Sequence, residues 1–258
     1  MITIVNYSTM VFLIILSTIF GYLYWLNKTK KIMPRFRILP GILALEELVG
    51  RAVEMGRPLL YLTGYGSLRS DQGPEQLGSF AIFGETARIC AKSGAEIIAG
   101  ILNQEHIPII TSLAEEAYRR ENAMDSLNYN NLIYLGASQY SSNAYLMVTV
   151  EQREVVSFIA TGWYGADMVV KGGVARSAGC LSLGATANPD QYPYLVAAFD
   201  YWLIGEDLLS AGAQISKDPG QITNVWAGDY IRFLLISIII IGSILAWVGF
   251  NIQWIFNL

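Results

Sequence analysis

The chain has 258 residues, of which 53% are hydrophobic and 15% charged, with a net charge of −4. Soluble domains carry about 25% charged residues, and the shortfall lies at the two ends: no charged side chain stands between Met1 and Asn27, or between Phe233 and Leu258. Without a basic excess the composition speaks against nucleic acid as a main partner. The two distant cysteines, Cys90 and Cys180, exclude a disulfide scaffold and fit a reducing compartment.

The first expected element is a membrane span within residues 1–27, centred on VFLIILSTIFGYLYW from Val11 to Trp25. About 20 such residues cross a bilayer core. A cleaved signal peptide would need a basic start and small residues at the cut. This segment has no early Lys or Arg, and it ends in Tyr22-Leu23-Tyr24-Trp25, so it reads as an uncleaved anchor. A basic linker follows over 28–41. A second span is expected over 231–254, around FLLISIIIIGSILAWVGF.

Basic residues near span ends mark the cytoplasmic side. Lys28, Lys30, Lys31, Arg35 and Arg37 follow the first span, and Arg232 opens the second. The expected topology is two-pass in a prokaryotic cell membrane, with the domain in the cytoplasm and both termini outside. Tyr22, Tyr24, Trp25, Trp226 and Tyr230 would form an inner aromatic belt, with Trp254 near the outer interface. Ser17 and Gly21, like Gly242 and Ala246, are four residues apart. Such small pairs let helices approach closely, or simply face lipid.

Between the spans lies one expected domain over 42–218, joined to the second span by a linker over 219–230. Its apolar runs alternate with amphipathic stretches, as in an α/β domain. Ile42 to Met55 reads as a helix burying Ile42, Leu45, Leu48, Val49, Ala52 and Val53, closed by Gly56. Pro58 to Thr63 reads as a strand, Gln76 to Ser93 as a helix, Ala95 to Ile101 as a strand, and Ile107 to Ile110 as a short one. Ser112 and Glu115 form a capping box that would open a helix. Asn131 to Leu135 reads as a strand, Ala144 to Val150 as a helix, Val155 to Thr161 as a strand, and Ala166 to Ala175 as a helix. Cys180 to Leu183 and Tyr194 to Ala198 read as buried strands, and Glu206 to Ile215 as a helix. The expected fold class is α/β, a mostly parallel or mixed sheet in Rossmann-like layers.

Leu45-Glu46-Glu47-Leu48-Val49-Gly50-Arg51-Ala52-Val53-Glu54-Met55-Gly56-Arg57-Pro58, then Thr63-Gly64, together with Asp200-Tyr201-Trp202-Leu203-Ile204-Gly205-Glu206-Asp207, resembles a family of prokaryotic membrane proteins built on a domain of unknown function. The resemblance covers most of the domain. It implies the architecture above and brings no activity, cofactor or catalytic residues.

Thr63-Gly64-Tyr65-Gly66-Ser67-Leu68-Arg69 follows a strand, like the start of a dinucleotide fingerprint. Arg69 stands where a third glycine belongs, so an ordinary turn is the plainer reading. Gly162-Trp163-Tyr164-Gly165-Ala166-Asp167 either lines a pocket or packs its aromatics on the sheet edge. His106, the sole histidine, is far in sequence from Cys90 and Cys180, so no metal is assigned. A Cys90–His106 nucleophilic pair is conceivable, with a packed thiol the simpler reading. Glu206 and Asp207 suit a helix start. If a ligand binds, Gly64, Gly66, Arg69 and Glu206 are the expected contacts. No cofactor and no catalytic set is expected. The expected role is a membrane-anchored scaffold or accessory subunit, partnered by the lipid bilayer and by further copies or a larger complex. The alternative is a Rossmann-like small-ligand sensor or enzyme.

Overall fold

The computed structural model describes residues 7–30, 37 and 39–247. The chain divides into two units. One comprises residues Met1–Arg35 with Lys217–Leu258, and the other Phe36–Ser216.

The second unit is the α/β body. Its elements run α2 (Pro40–Met55), β1 (Leu59–Thr63), α3 (Gly73–Ser93), β2 (Ile97–Ile101), α4 (Ile107–Arg120), β3 (Leu132–Tyr134), α5 (Gln139–Gln152), β4 (Ser157–Thr161), α6 (Met168–Ser177), β5 (Leu181–Thr186), α7 (Tyr192–Ala198), β6 (Tyr201–Ile204) and α8 (Glu206–Ser216). The six strands form one sheet in the order β3-β2-β1-β4-β5-β6, and every neighbouring pair is parallel. Helices cover both faces. Leu59, Tyr61, Ile97, Ala99 and Ile159 point into a core with α2, α3, α4 and α8. Their neighbours Leu60, Leu62, Ile98, Phe158 and Ala160 point the other way, onto α5, α6 and α7. Side chains alternate across a strand, so strands buried on both faces read as unbroken apolar runs.

The helix ends follow their local chemistry. Pro40 stands in the first turn of α2, where a missing N–H costs nothing. Gly56 closes α2 at φ 62°, and the N–H of Arg57 returns to the Ala52 carbonyl at 3.1 Å. Leu45 and Leu48 are buried as expected, but Val53 is 43% exposed; it lies at the edge of the apolar stripe and turns outward.

Three expectations fail in the body for one reason. Ile107 to Ile110 opens α4 instead of forming a strand, and Ser112 lies inside that helix instead of capping it. Tyr194 to Ala198 is helix α7, and β6 follows it. Parallel neighbours need a crossover between them, usually helical, so α4 must separate β2 from β3 and α7 must separate β5 from β6. Pro108 and Pro193, each in a first turn, are helix starts that a strand reading overlooks.

The first unit contains α1 (Tyr7–Lys30) and α9 (Pro219–Trp247). The two helices pack together. Leu23 and Asn27 are buried, and Asn27 Nδ2 donates to the Pro219 carbonyl at 3.2 Å and to Thr223 Oγ1 at 3.4 Å. Among the described residues one helical segment, Pro219–Ile244, is long and apolar enough to cross a membrane, and 6% of its most apolar window is buried. The expected pair of spans is therefore reduced to this C-terminal one. The N-terminal span draws on residues 2–6, which lie outside the described ones, as does Trp254.

Candidate functional site

Strands β1 and β4 adjoin at the centre of the sheet, and the chain winds outward from them in both directions. Open α/β sheets bind ligands beyond the carboxyl ends of the strands at such a switch point. Here the two loops meet and close on each other. The N–H of Tyr65 donates to the Trp163 carbonyl at 2.8 Å. A Cβ on Gly64 would lie 2.5 Å from the Trp163 nitrogen and 2.7 Å from its oxygen. The glycine thus admits another stretch of the chain's own backbone. Gln76, fully buried in the first turn of α3, fills the remaining space. With its amide oriented to satisfy both donors, its side-chain oxygen accepts from Trp163 N–H at 2.9 Å and Gly66 N–H at 3.1 Å.

A phosphate at a helix N-terminus would want those backbone donors. The next ones are also taken. Glu75 accepts from Thr186 Oγ1 at 2.8 Å and from Ala187 N–H at 2.6 Å. Burial pushes its carboxyl above the usual range, and these two bonds pull it back. A carboxylate in this first turn complements the helix dipole and repels an incoming anion.

Residues beyond β2 hold the β1 loop from its other side. Asn103 Nδ2 donates to the Tyr65 carbonyl at 3.1 Å, and Glu105 accepts from Ser67 Oγ at 3.0 Å and Leu68 N–H at 3.1 Å. Those bonds hold the Glu105 carboxyl below the usual range. His106 is fully buried beside Phe80, and its Nε2 lies 2.9 Å from the Gly66 carbonyl. That contact requires a proton on Nε2. Nδ1 is then a buried acceptor without a partner among the described residues, and burial lowers the imidazole's proton affinity.

A buried polar cluster lies on the other side of the Tyr65 loop. Lys171 of α6 is fully buried. Its Nζ donates to Asp167 Oδ2, to Asn143 Oδ1 at 2.7 Å and to Ser142 Oγ at 3.0 Å. Tyr65 Oη donates to Asp167 Oδ2 at 2.7 Å. The ammonium also stands 5.6 Å from the ring centres of Tyr65 and Tyr164. Burial pushes Lys171 below the usual lysine range, and Asp167 opposes that shift. Asp167 Oδ1 is buried without a partner among the described residues.

The sequence-derived residues are not brought together. Gly64 and Gly66 sit in the closed loop, while Arg69 is exposed and reaches Glu105 at 3.6 Å. Glu206 opens α8 beyond β6, three strands from β1, or about 14 Å by strand spacing. Asp207 pairs with Arg37 at 2.8 Å. Tyr164 packs inward and donates to the carbonyls of Leu62 at 2.9 Å and Thr63 at 3.0 Å. Cys90 and Cys180 are free and buried, with thiols pushed up to about 12 and about 11 by burial. In the helical unit Lys28 stands 5.7 Å from the Tyr24 ring, and Arg232 lies 3.4 Å from Asp229. Ser17 and Gly21 are exposed, and a Cβ on Gly21 or Gly242 would meet nothing within 4 Å. Lys31 and Arg35, and the side chains of Lys30 and Ala246, lie outside the described residues.

Gln76, Glu75 and Lys171 carry no motif; Asp167 closes the Gly162–Asp167 stretch, and Ser142 and Asn143, which read as a helix cap, lie inside α5 instead. A signal existed for Asp167 and Lys171, which are four apart at the start of a helix that carries one further charge, Arg176. A cleft of about 900 Å³ opens at the opposite end of the sheet, near the amino end of β4, between α5 and α6 and beside the end of α2. Met55, Met147, Val150, Val170 and Val174 line it, with Arg51, Arg57, Glu151 and Glu154 also at its walls.

No curated protein matches the chain at a significant level. A family model described as a domain of unknown function, DUF6754, matches residues 2–256. The chain belongs to that family.

Proposed function

We propose that the protein is a membrane-anchored scaffold or accessory subunit whose α/β body docks other protein surfaces at the cytoplasmic face. One observation carries this reading: at the switch point, where this fold would hold a small ligand, the chain's own Gln76 and Glu75 take the donors a ligand would use. The rival reading, a sensor or enzyme at Gly64 to Arg69, asks for space that Gln76 occupies. The prokaryotic membrane, the second span and the inward orientation belong to the same proposal, supported by Pro219–Ile244 and by the basic residues beside both apolar segments.

The test uses the full chain in mild detergent. Thermal unfolding is followed with millimolar mononucleotides and dinucleotides, and mass photometry is run over a dilution series. The expected result is no ligand-dependent shift and a mass above one chain plus one micelle. A saturable nucleotide-dependent rise in Tm would overturn the scaffold reading. For topology, an impermeant thiol reagent should label Asn257→Cys but not Ser70→Cys in intact cells. Labelling of Ser70→Cys would reverse the orientation.

A further inference from the structure

The two helix layers of the body differ in what they turn outward. The layer of α2, α3, α4 and α8 is studded with charge, including Glu46, Glu47, Glu85, Arg88, Glu116 and Arg120. The layer of α5, α6 and α7 holds Glu151, Lys171 and Arg176 as its only charged residues, and Lys171 is fully buried. Its outer surface is mainly apolar and aromatic, with Ser141, Glu151, Gln152, Arg176 and Ser177 as the exposed polar residues of the three helices. On α5, Tyr140 is 89% exposed and Met147 and Val148 about half. Val169 and Val170 of α6 are exposed, as are Tyr194 and Val196 of α7. A helix that is apolar on both sides is normally buried on both sides, and contiguous exposed apolar surface marks an interaction site.

Resting on the scaffold reading above, we infer that this layer is the interface between two copies of the chain, with α5 packed antiparallel on α5 of the second copy. Three observations favour a second copy over other occupants. A two-fold interface brings a surface onto itself, which a nearly uncharged face tolerates without self-repulsion. The exposed stripe of α5, Tyr140, Ala144, Met147 and Val148, has its smallest member in the middle, where two crossing helices approach closest. A two-fold axis at Ala144 pairs position 140 with position 148 of the other copy. The projecting Tyr140 ring then falls at the far end of the opposing helix, where the 900 Å³ cleft opens between Met147 and Val170. One copy's knob meets the other's hole twice. The footprint is of the right order. The 14, 10 and 7 residues of α5, α6 and α7 make helices about 21, 15 and 10 Å long, which at roughly 10 Å spacing cover about 460 Å² in projection, more than half of the roughly 800 Å² per partner of stable interfaces. A lipid surface fits less well, since interfacial helices carry Lys and Arg on their flanks.

The experiment uses the full chain in native membranes and then in mild detergent. Ala144→Cys faces its own copy across the axis, and the native thiols are buried, so mild oxidation should give a disulfide-linked dimer on non-reducing gels. Leu43→Cys, 64% exposed on the charged layer, should stay monomeric. Tyr140→Ala should weaken assembly about tenfold or more in the dilution series, as loss of a central aromatic anchor does, with unchanged circular dichroism. An oligomer that persists in Tyr140→Ala, with no Ala144→Cys cross-link, overturns this interface and leaves the scaffold reading standing. A wild-type chain that is monomeric in membranes overturns both. Protection of Tyr140→Cys from a water-soluble thiol reagent in lipid vesicles but not in detergent, with no Ala144→Cys cross-link, would overturn the interface and assign the face to lipid instead.

Discussion

Tyr65 Oη donates to Asp167 Oδ2 at 2.7 Å, and this one bond ties the loop after β1 to the helix that follows β4. Asp167 stands at the N-cap position of α6 yet makes no capping bond from its side chain. An aspartate there usually caps its own helix. Here the carboxylate turns inward to Tyr65 and to Lys171, so α6 gives up a cap for a tertiary tie.

That tie predicts a strongly non-additive pair. Lys171→Met leaves the Asp167 carboxylate buried without its cation, and breaking such a pair typically costs about 3–5 kcal/mol. Asp167→Asn in the same chain removes the uncompensated charge. The double variant should therefore lose clearly less than the two single losses added together. Chemical denaturation of all four forms in detergent checks it, and simple additivity would show that the pair is not energetically coupled.

Two glycines should respond in opposite directions to alanine. At Gly64 the new methyl would meet the backbone of Trp163 at 2.5 Å, which no side-chain rotation relieves. A loss of about 1–3 kcal/mol is expected, as for other overpacked sites. Gly50 lies inside α2 with open space where a Cβ would be, and alanine there should gain about 0.5–1 kcal/mol from helix propensity. Thermal melts of the two variants against the parent decide it; a neutral Gly64→Ala would mean the loops have room to part.

His106 predicts an acid-side loss of stability. Its folded proton affinity lies below the ordinary value, while the unfolded chain titrates near about 6.5. As pH falls through that unfolded value, only the unfolded chain takes up a proton, so stability declines until the lower folded pKa is reached. Glu105 nearby opposes the shift, and the Gly66 carbonyl does so more strongly. Glu75 acts with the opposite sign, because its folded carboxyl is raised and protonation there favours the fold. Tm should fall between about pH 6.5 and 5 in a Glu75→Gln background, and the fall should shrink when His106→Asn is added. An equal fall in both chains would assign the acid sensitivity elsewhere.

The sheet was legible where residues face apolar surroundings on both sides. Leu59 to Leu62 and Phe158 to Ala160 are unbroken apolar runs because helices cover both faces of β1 and β4. The same signature misled at Tyr194 to Ala198, a short apolar stretch whose period of one helical turn is lost in seven residues. The strand order is a non-local property, and neither β1 nor β4 announces that the other will be its neighbour. The candidate site was opaque for that reason. Gly64 and Gly66 carry a phosphate-loop signal locally, and only the approach of Trp163, about a hundred residues later in the chain, shows what those glycines accommodate.

Gln76 offers the sharpest test of that closed switch point. Its side-chain oxygen is the acceptor for Gly66 N–H and Trp163 N–H, two backbone donors from two different loops. Leucine at this position keeps the volume and removes the acceptor, leaving both donors buried without a partner. Each such group costs about 1–3 kcal/mol, so Gln76→Leu should lose about 2–6 kcal/mol in total. Gln76→Glu keeps two oxygens in the first turn of α3, where negative charge is favoured, although Glu75 stands beside it and repels. The glutamate variant should therefore be the more stable of the two at neutral pH. It should lose that advantage as acid protonates the new carboxylate, because a neutral carboxyl group is the poorer acceptor. Denaturation of both variants at pH 7.5 and pH 5 reads the difference. Equal stability at pH 7.5 would mean that Gln76 fills space without holding the two loops, and that the β1–β4 crevice is closed by packing alone.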